Sequence, residues 1–230
     1  MTLYNSLINE IKSLLLPKSK RLYCEKSRLK MGDRNSVLFS KDTAFELGGS
    51  SKPCVSMTAV SSDIDFGNEM YLVGKDIPEI KGDSPFAKFV FLQIEDIVDE
   101  QATFNKIKEL EAVRYNFSPE GFMTRASALN MREQIRISKK EAGVSFADYG
   151  KLLIDEYIKN PSVKSVCIFF VTEFDKFSDL RNIAEKCKRT TSALNHILDN
   201  IMFDCSACNL KEICDEVDGL KELHMKQTKK

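Results

Sequence analysis

Between Val163 and Thr172 the sequence is almost continuously apolar and dominated by β-branched and aromatic residues. Successive side chains of a strand point to opposite sides, so a strand of this kind has no face to offer water. It must lie inside a sheet that is covered on both sides, which excludes an open sheet with one wet face. Phe86 to Ile97 has the same texture. Two such segments, with stretches of helical spacing between and after them, predict an α/β fold in which a mixed sheet is covered by helices.

The other elements follow from periodicity and punctuation. Leu3, Tyr4, Leu7, Ile8, Ile11, Leu14 and Leu15 recur at helical spacing, and Pro17 ends that helix. A connector rich in Lys and Arg comes next. Short strands are expected at Val37 to Phe39, Thr43 to Leu47, Val55 to Val60 and Met70 to Val73, separated by Gly48 and Gly49, Ser61 to Asp63, and Gly74 to Asp76. Asp99 to Leu110 reads as a helix with Phe104, Ile107 and Leu110 on one face, and Val113 to Phe117 and Phe122 to Arg125 read as extended. Ser145 and Asp148 have the spacing of a capping box, opening a helix with Tyr149, Leu152, Leu153 and Tyr157 that stops at Asn160 and Pro161. A long helix from Ser178 places Leu180, Ile183, Ala184, Cys187, Thr191, Leu194, Ile197 and Leu198 on one stripe. The expected organisation is an N-terminal helix and short-strand region over 1–75, an α/β domain over 76–202, and a cysteine-bearing tail over 203–230.

Composition narrows the partners. The 230 residues are 43% hydrophobic and 30% charged, which is the balance of a chain with a packed core. Lys plus Arg and Asp plus Glu are both 34, so there is no basic surplus to collect the phosphates of nucleic acid or an anionic membrane. No apolar run is long enough to cross a bilayer, and the first residues lack the basic start and small-residue cleavage site of a signal peptide. A cytoplasmic location is expected on those grounds.

Seven cysteines in a reducing compartment are not expected to pair as disulfides. Cys24, Cys54, Cys167 and Cys187 are scattered and read as small buried apolar residues. Cys205, Cys208 and Cys214 lie within ten residues of one another. A Cys-x2-Cys pair sets two thiolates where both sulfurs reach one metal, and the third can close over the same ion or cluster. Soft thiolates at this spacing suit zinc or an iron–sulfur cluster, both of which usually take four ligands. His224, with Glu222 and Asp218 nearby, is the candidate fourth ligand to zinc. Cys187, Cys24 or Cys54 can complete a four-cysteine set if the fold brings one close, and a partner chain or exogenous ligand is the remaining source. Three reduced cysteines at a helix terminus are the plain alternative. The polar residues between them weigh against it, because exposed thiols there would be a liability.

Several segments, taken in order, resemble the β subunit of the CO dehydrogenase/acetyl-CoA synthase complex. They are Leu72 to Ile80 (LVGKDIPEI), Pro85 to Ile94 (PFAKFVFLQI), Gln134 to Lys140 (QIRISKK), Val144 to Gly150 (VSFADYG), the strand from Val163, and the cysteine run. The likeness spans roughly residues 60 to 216 and covers that family's middle domain and the first cysteines after it. In the family the Cys-x2-Cys begins a nickel–iron–sulfur site, so the resemblance implies that Cys205, Cys208 and Cys214 hold a cubane iron–sulfur cluster. The family spaces its third cysteine further away. The sequence stops sixteen residues after Cys214, with no fourth cysteine of the run and none of the later Gly-Cys-Gly-Cys segment that holds nickel. The implied role is therefore an accessory or partner subunit of CO dehydrogenase or a corrinoid protein in anaerobic one-carbon metabolism, not catalytic on its own. A chain that contributes to a heteromer supplying the nickel ligands is a variant of that role. A stand-alone binding module with a structural zinc is the alternative.

Two basic clusters stand apart from the cysteines. Arg132, Arg136, Lys139 and Lys140 precede the Ser145 helix, and Lys186, Lys188 and Arg189 lie on the last long one. Arg136, Lys139 and Lys140 are candidate contacts to the phosphates of CoA or to an acidic partner, against the plainer reading of solvated faces. Gly48 to Lys52 is glycine-rich and basic but lacks the Gly-Lys-Ser/Thr ending and following helix of a phosphate loop. His196 falls among apolar residues and is expected to be structural. Asp215, Glu216 and Asp218 read as a solvated acidic face, and no nucleophile–base order or carboxylate pair emerges.

Overall fold

A computed structural model describes residues 2–33, 37–49, 51–95, 100–127, 131–198, 208–217, 219, 220 and 223. The elements, in chain order, are α1 (Asn5–Leu15), β1 (Lys20–Leu22), β2 (Thr43–Leu47), β3 (Cys54–Ser61), β4 (Glu69–Val73), β5 (Phe86–Ile94), α2 (Glu100–Asn116), β6 (Phe122–Ser127), β7 (Arg132–Ser138), α3 (Phe146–Ile158), β8 (Val163–Val171), α4 (Phe177–Leu198) and α5 (Lys211–Glu216). They build a mixed α/β fold with two sheets. The larger has the order β1-β4-β8-β5-β3 and the smaller the order β2-β7-β6.

The two apolar segments sit in the interior of the large sheet. β5 pairs antiparallel with β8 and parallel with β3, while β8 pairs parallel with β4. All nine residues of β8 but Lys164 are buried, as an unbroken apolar strand requires. Alternation sorts its aromatics. Phe169 packs with Tyr71 and Phe91, with ring centroids 4.8 and 6.0 Å away. Phe170 faces the other way, onto Phe146 and Tyr149 of α3 at 4.8 and 5.9 Å. Gly150 lets α3 come that close, because a Cβ there would stand 2.6 Å from Met70 Sδ and 3.0 Å from Phe170 Cε2.

The capping box forms as expected. Ser145 Oγ accepts from the Asp148 amide at 3.2 Å, and the Ser145 amide donates to Asp148 Oδ2 at 3.3 Å. Asp148 has a second role that the pattern did not announce. Its carboxylate takes Arg28 Nη2 at 2.8 Å and the Arg28 amide at 2.9 Å, fastening the basic connector to the start of α3.

Four expectations change. Val37 to Phe39 form no strand: Val37 and Phe39 are each 64% exposed, and a 3-10 turn at Ser40–Asp42 follows. Val113 to Phe117 are not extended, because α2 continues to Asn116. Leu110, Arg114 and Phe117 hold one helical face into the interior, and a window of five residues reads equally as alternation. β1 and β7 were not expected as strands. β1 is a three-residue edge strand of polar composition, and β7 carries the charged Glu133 at a buried position where a hydrophobic residue marks a strand. No helix among the described residues is long and apolar enough to cross a membrane.

Candidate functional site

The cysteine run meets the fold at α5. Cys208 lies just before this helix and Cys214 within it, both half-buried and packed against the core with Leu210 and Ile213. The lysine and arginine cluster on α4 explains where α5 sits: Lys186 pairs with Glu216 at 3.5 Å, and Arg189 pairs with Glu212 at 3.4 Å and donates to the Asn209 carbonyl at 3.4 Å. Asp215 and Glu216 of the acidic run are exposed, as expected, and Glu216 also reaches Lys186. Cys205, His224, Glu222 and Asp218 lie outside the described residues.

The scattered cysteines are core. Cys54 donates its thiol hydrogen to the Glu133 carbonyl at 2.9 Å and accepts from the Glu133 amide at 3.2 Å, tying β3 to β7. Burial pushes the thiols of Cys167 and Cys187 up to about 12, so neither is a ready thiolate. Cys187 points at the Thr58 carbonyl, 3.8 Å away. Cys24 is half-buried, and burial followed by the Asp148 charge raises its thiol as well. Among the described residues no three Cys, His, Asp or Glu side chains gather as a metal site. None of Cys24, Cys54 and Cys187 therefore joins Cys208 and Cys214.

Two of the three CoA candidates are engaged within the chain. Arg136 on β7 donates from Nε to Glu46 Oε1 at 2.7 Å and from Nη1 to the Leu38 carbonyl at 3.0 Å. Lys139 donates to the Lys41 carbonyl at 2.7 Å, and Lys140 is exposed. Arg136 and Lys139 fasten the segment before β2, and β2 itself, to β7.

Sequence reasoning missed the polar cluster between the sheets. Lys88 on β5 and Glu133 on β7 form an ion pair that solvent does not reach. Ser56 donates to Glu133 Oε2 at 2.9 Å, Arg114 Nη1 lies 3.4 Å from Ser56 Oγ, and the Lys88 ammonium stands 5.9 Å from the Tyr149 ring centroid. Burial lowers the Lys88 pKa, and the Glu133 charge only partly offsets it. The one sequence signal was a lysine inside an otherwise apolar strand. The geometry makes this a cross-sheet tie. No family model matches the chain, and no curated protein does.

Proposed function

We propose that this chain is an iron–sulfur-carrying partner subunit acting in the cytoplasm in anaerobic one-carbon metabolism, with Cys205, Cys208 and Cys214 as cluster ligands. The single observation that carries the reading is the placement of Cys208 and Cys214. Both are half-buried on one short segment that two ion pairs hold against α4. The donor set fits the group: thiolates are the ligands such clusters take, and a partly sheltered setting favours a cluster over exposed thiols. The six residues of α5 are too few to hold a helix in water alone, so its position depends on docking, which bound metal would reinforce. When bound, a cluster supplies one-electron transfer or an interface anchor. The chain's own contribution is the α/β body, with Lys186 and Arg189 positioning the thiols. The ordered resemblance to the acetyl-CoA synthase β subunit supports CO dehydrogenase or a corrinoid protein as partner.

The same shortness of α5 favours a second reading, a structural zinc that clips this segment to the body, with His224 as fourth ligand. Anaerobic purification with elemental analysis for Fe, Zn and Ni and a visible spectrum separates the two. About four iron atoms per chain with a broad band near 400 nm, both lost in Cys208→Ser, supports the cluster. One zinc without colour supports the clip, and protein free of metal sinks both.

A further inference from the structure

The N-terminal end of α4 closes one side of a pocket of about 490 Å³, lined also by residues at the start of β3 and of β7. This volume lies in the range of small-molecule sites. Three of the lining residues are cations drawn from three places in the chain: Lys52 before β3, Arg132 at the start of β7, and Arg181 in the first turns of α4. Among the described residues none of the three makes an ion pair. Several cations elsewhere do have an acid partner, as in Arg21 with Glu69 at 2.9 Å, Arg28 with Asp148 at 2.8 Å, Lys75 with Glu173 at 2.8 Å and Arg136 with Glu46 at 2.5 Å.

In a chain with equal numbers of acids and bases, three bases brought together without an acid among the described residues concentrate a positive potential at that point. Arg132 adds a sign in the same direction: among the described residues its buried Nε has no hydrogen-bond partner, while the guanidinium also bears on the Cys54 thiol. The helix end contributes in the same sense, because the first-turn amides of a helix carry its positive pole. Asp179, the acid of that turn, is bonded to Ser178 Oγ at 3.4 Å and does not line the pocket. Ser51, Ser178 and Asn182 add neutral polar groups. The rest of the lining is apolar: Pro53, Val55 and Phe177.

We propose that this pocket binds a small phosphomonoester, with the phosphate on Lys52, Arg132 and Arg181 and the carbon body against Phe177, Pro53 and Val55. Arginine recognises phosphate oxygens in pairs, lysine adds charge, and a helix N-terminus accepts a dianion. Gly48 to Lys52 lacks a helix after it in sequence, yet the fold brings the N-terminus of α4 to its basic end. The assignment does not depend on the cysteine run.

Calorimetric titration of the full chain tests it, with adenosine 5′-monophosphate and ribose 5-phosphate as probes and inorganic phosphate and adenosine as controls. The expected result is that at least one phosphomonoester binds about tenfold more tightly than either control. It should weaken about tenfold in Arg181→Gln and again in Lys52→Gln, both exposed positions whose replacement leaves the melting temperature unchanged. Three results would overturn the proposal: no heat from either phosphomonoester up to about 5 mM, inorganic phosphate binding as well as both, or binding that survives the double substitution.

Discussion

Lys88 of the large sheet and Glu133 of the small sheet meet in an ion pair from which both side chains exclude solvent. β5 and β7 belong to different sheets, so the pair fixes how one sheet stands on the other. Ser56 and Cys54 of β3 hold Glu133 from the side through its carboxylate and its backbone.

Removing one partner should cost much more than removing both. Glu133→Ala leaves Lys88 buried without its counter-charge, and a loss of about 3–5 kcal/mol is expected. Lys88→Met combined with Glu133→Leu should recover most of it. Urea midpoints for the two single variants and the double variant measure the coupling. Equal destabilisation of the singles and the double would show that the pair does not act as a unit.

Acid should expose the clasp between Arg28 and Asp148. Burial would raise the Asp148 carboxyl, but bonds from Arg28 and Ser145 outweigh it and hold the group well below the usual carboxylate range. A depressed native value gives stability that is complete above the unfolded value of about 4 and is lost as pH falls below it. The wild-type midpoint should therefore drop more steeply below about pH 4 than that of Asp148→Asn, which starts lower at pH 7. Parallel acid limbs in the two proteins would falsify this assignment. Ser145→Ala removes the other half of the cap and should cost about 1 kcal/mol at neutral pH.

Thiol labelling should divide the cysteines by burial. Cys54, Cys167 and Cys187 should stay unmodified by a maleimide until denaturant is added, because they are buried and their thiols are shifted upward. If the cysteine run binds metal, Cys208 and Cys214 join the protected set in loaded protein and leave it after chelation. Mass spectrometry of labelled peptides reads both statements. Unchanged labelling of Cys208 across loading would remove it from the ligand set.

Two glycines should resist replacement for different reasons. Gly74 holds φ at +99°, and a Cβ there would stand 2.6 Å from the Glu173 amide nitrogen, so Gly74→Ala meets both backbone strain and a clash with backbone. Gly150→Ala drives a methyl between Met70 and Phe170, where side chains can yield. A loss of about 1–3 kcal/mol is expected at Gly150 and no less at Gly74. Thermal midpoints that rise in either variant would contradict the packing described.

Hydrophobic pattern made most of the large sheet legible, because β3, β4, β5 and β8 are buried strands whose composition admits little else. The Ser145 cap and the stripe of α4 were equally plain. In the small sheet β2 and β6 were legible but the central β7 was not, and Glu133 shows why: a strand with a charge pointing inward breaks the alternation by which strands are recognised. Of the cysteine run the structure describes only Cys208 and Cys214. The basic pocket was not legible, since Lys52, Arg132 and Arg181 come from segments that only the tertiary fold brings together.

The contact between α1 and α4 bears on how the chain is made. Tyr4 Oη lies 2.8 Å from Thr191 Oγ1 across 187 residues of sequence. At a ribosome's pace of roughly 5–20 residues per second, α1 waits roughly ten to forty seconds for its partner to emerge. During that interval Leu7, Ile8, Ile11 and Leu15 have no α4 to cover them. The start of this chain is thus a natural client for a holding chaperone, and slowing translation should raise the share that aggregates before the seam closes.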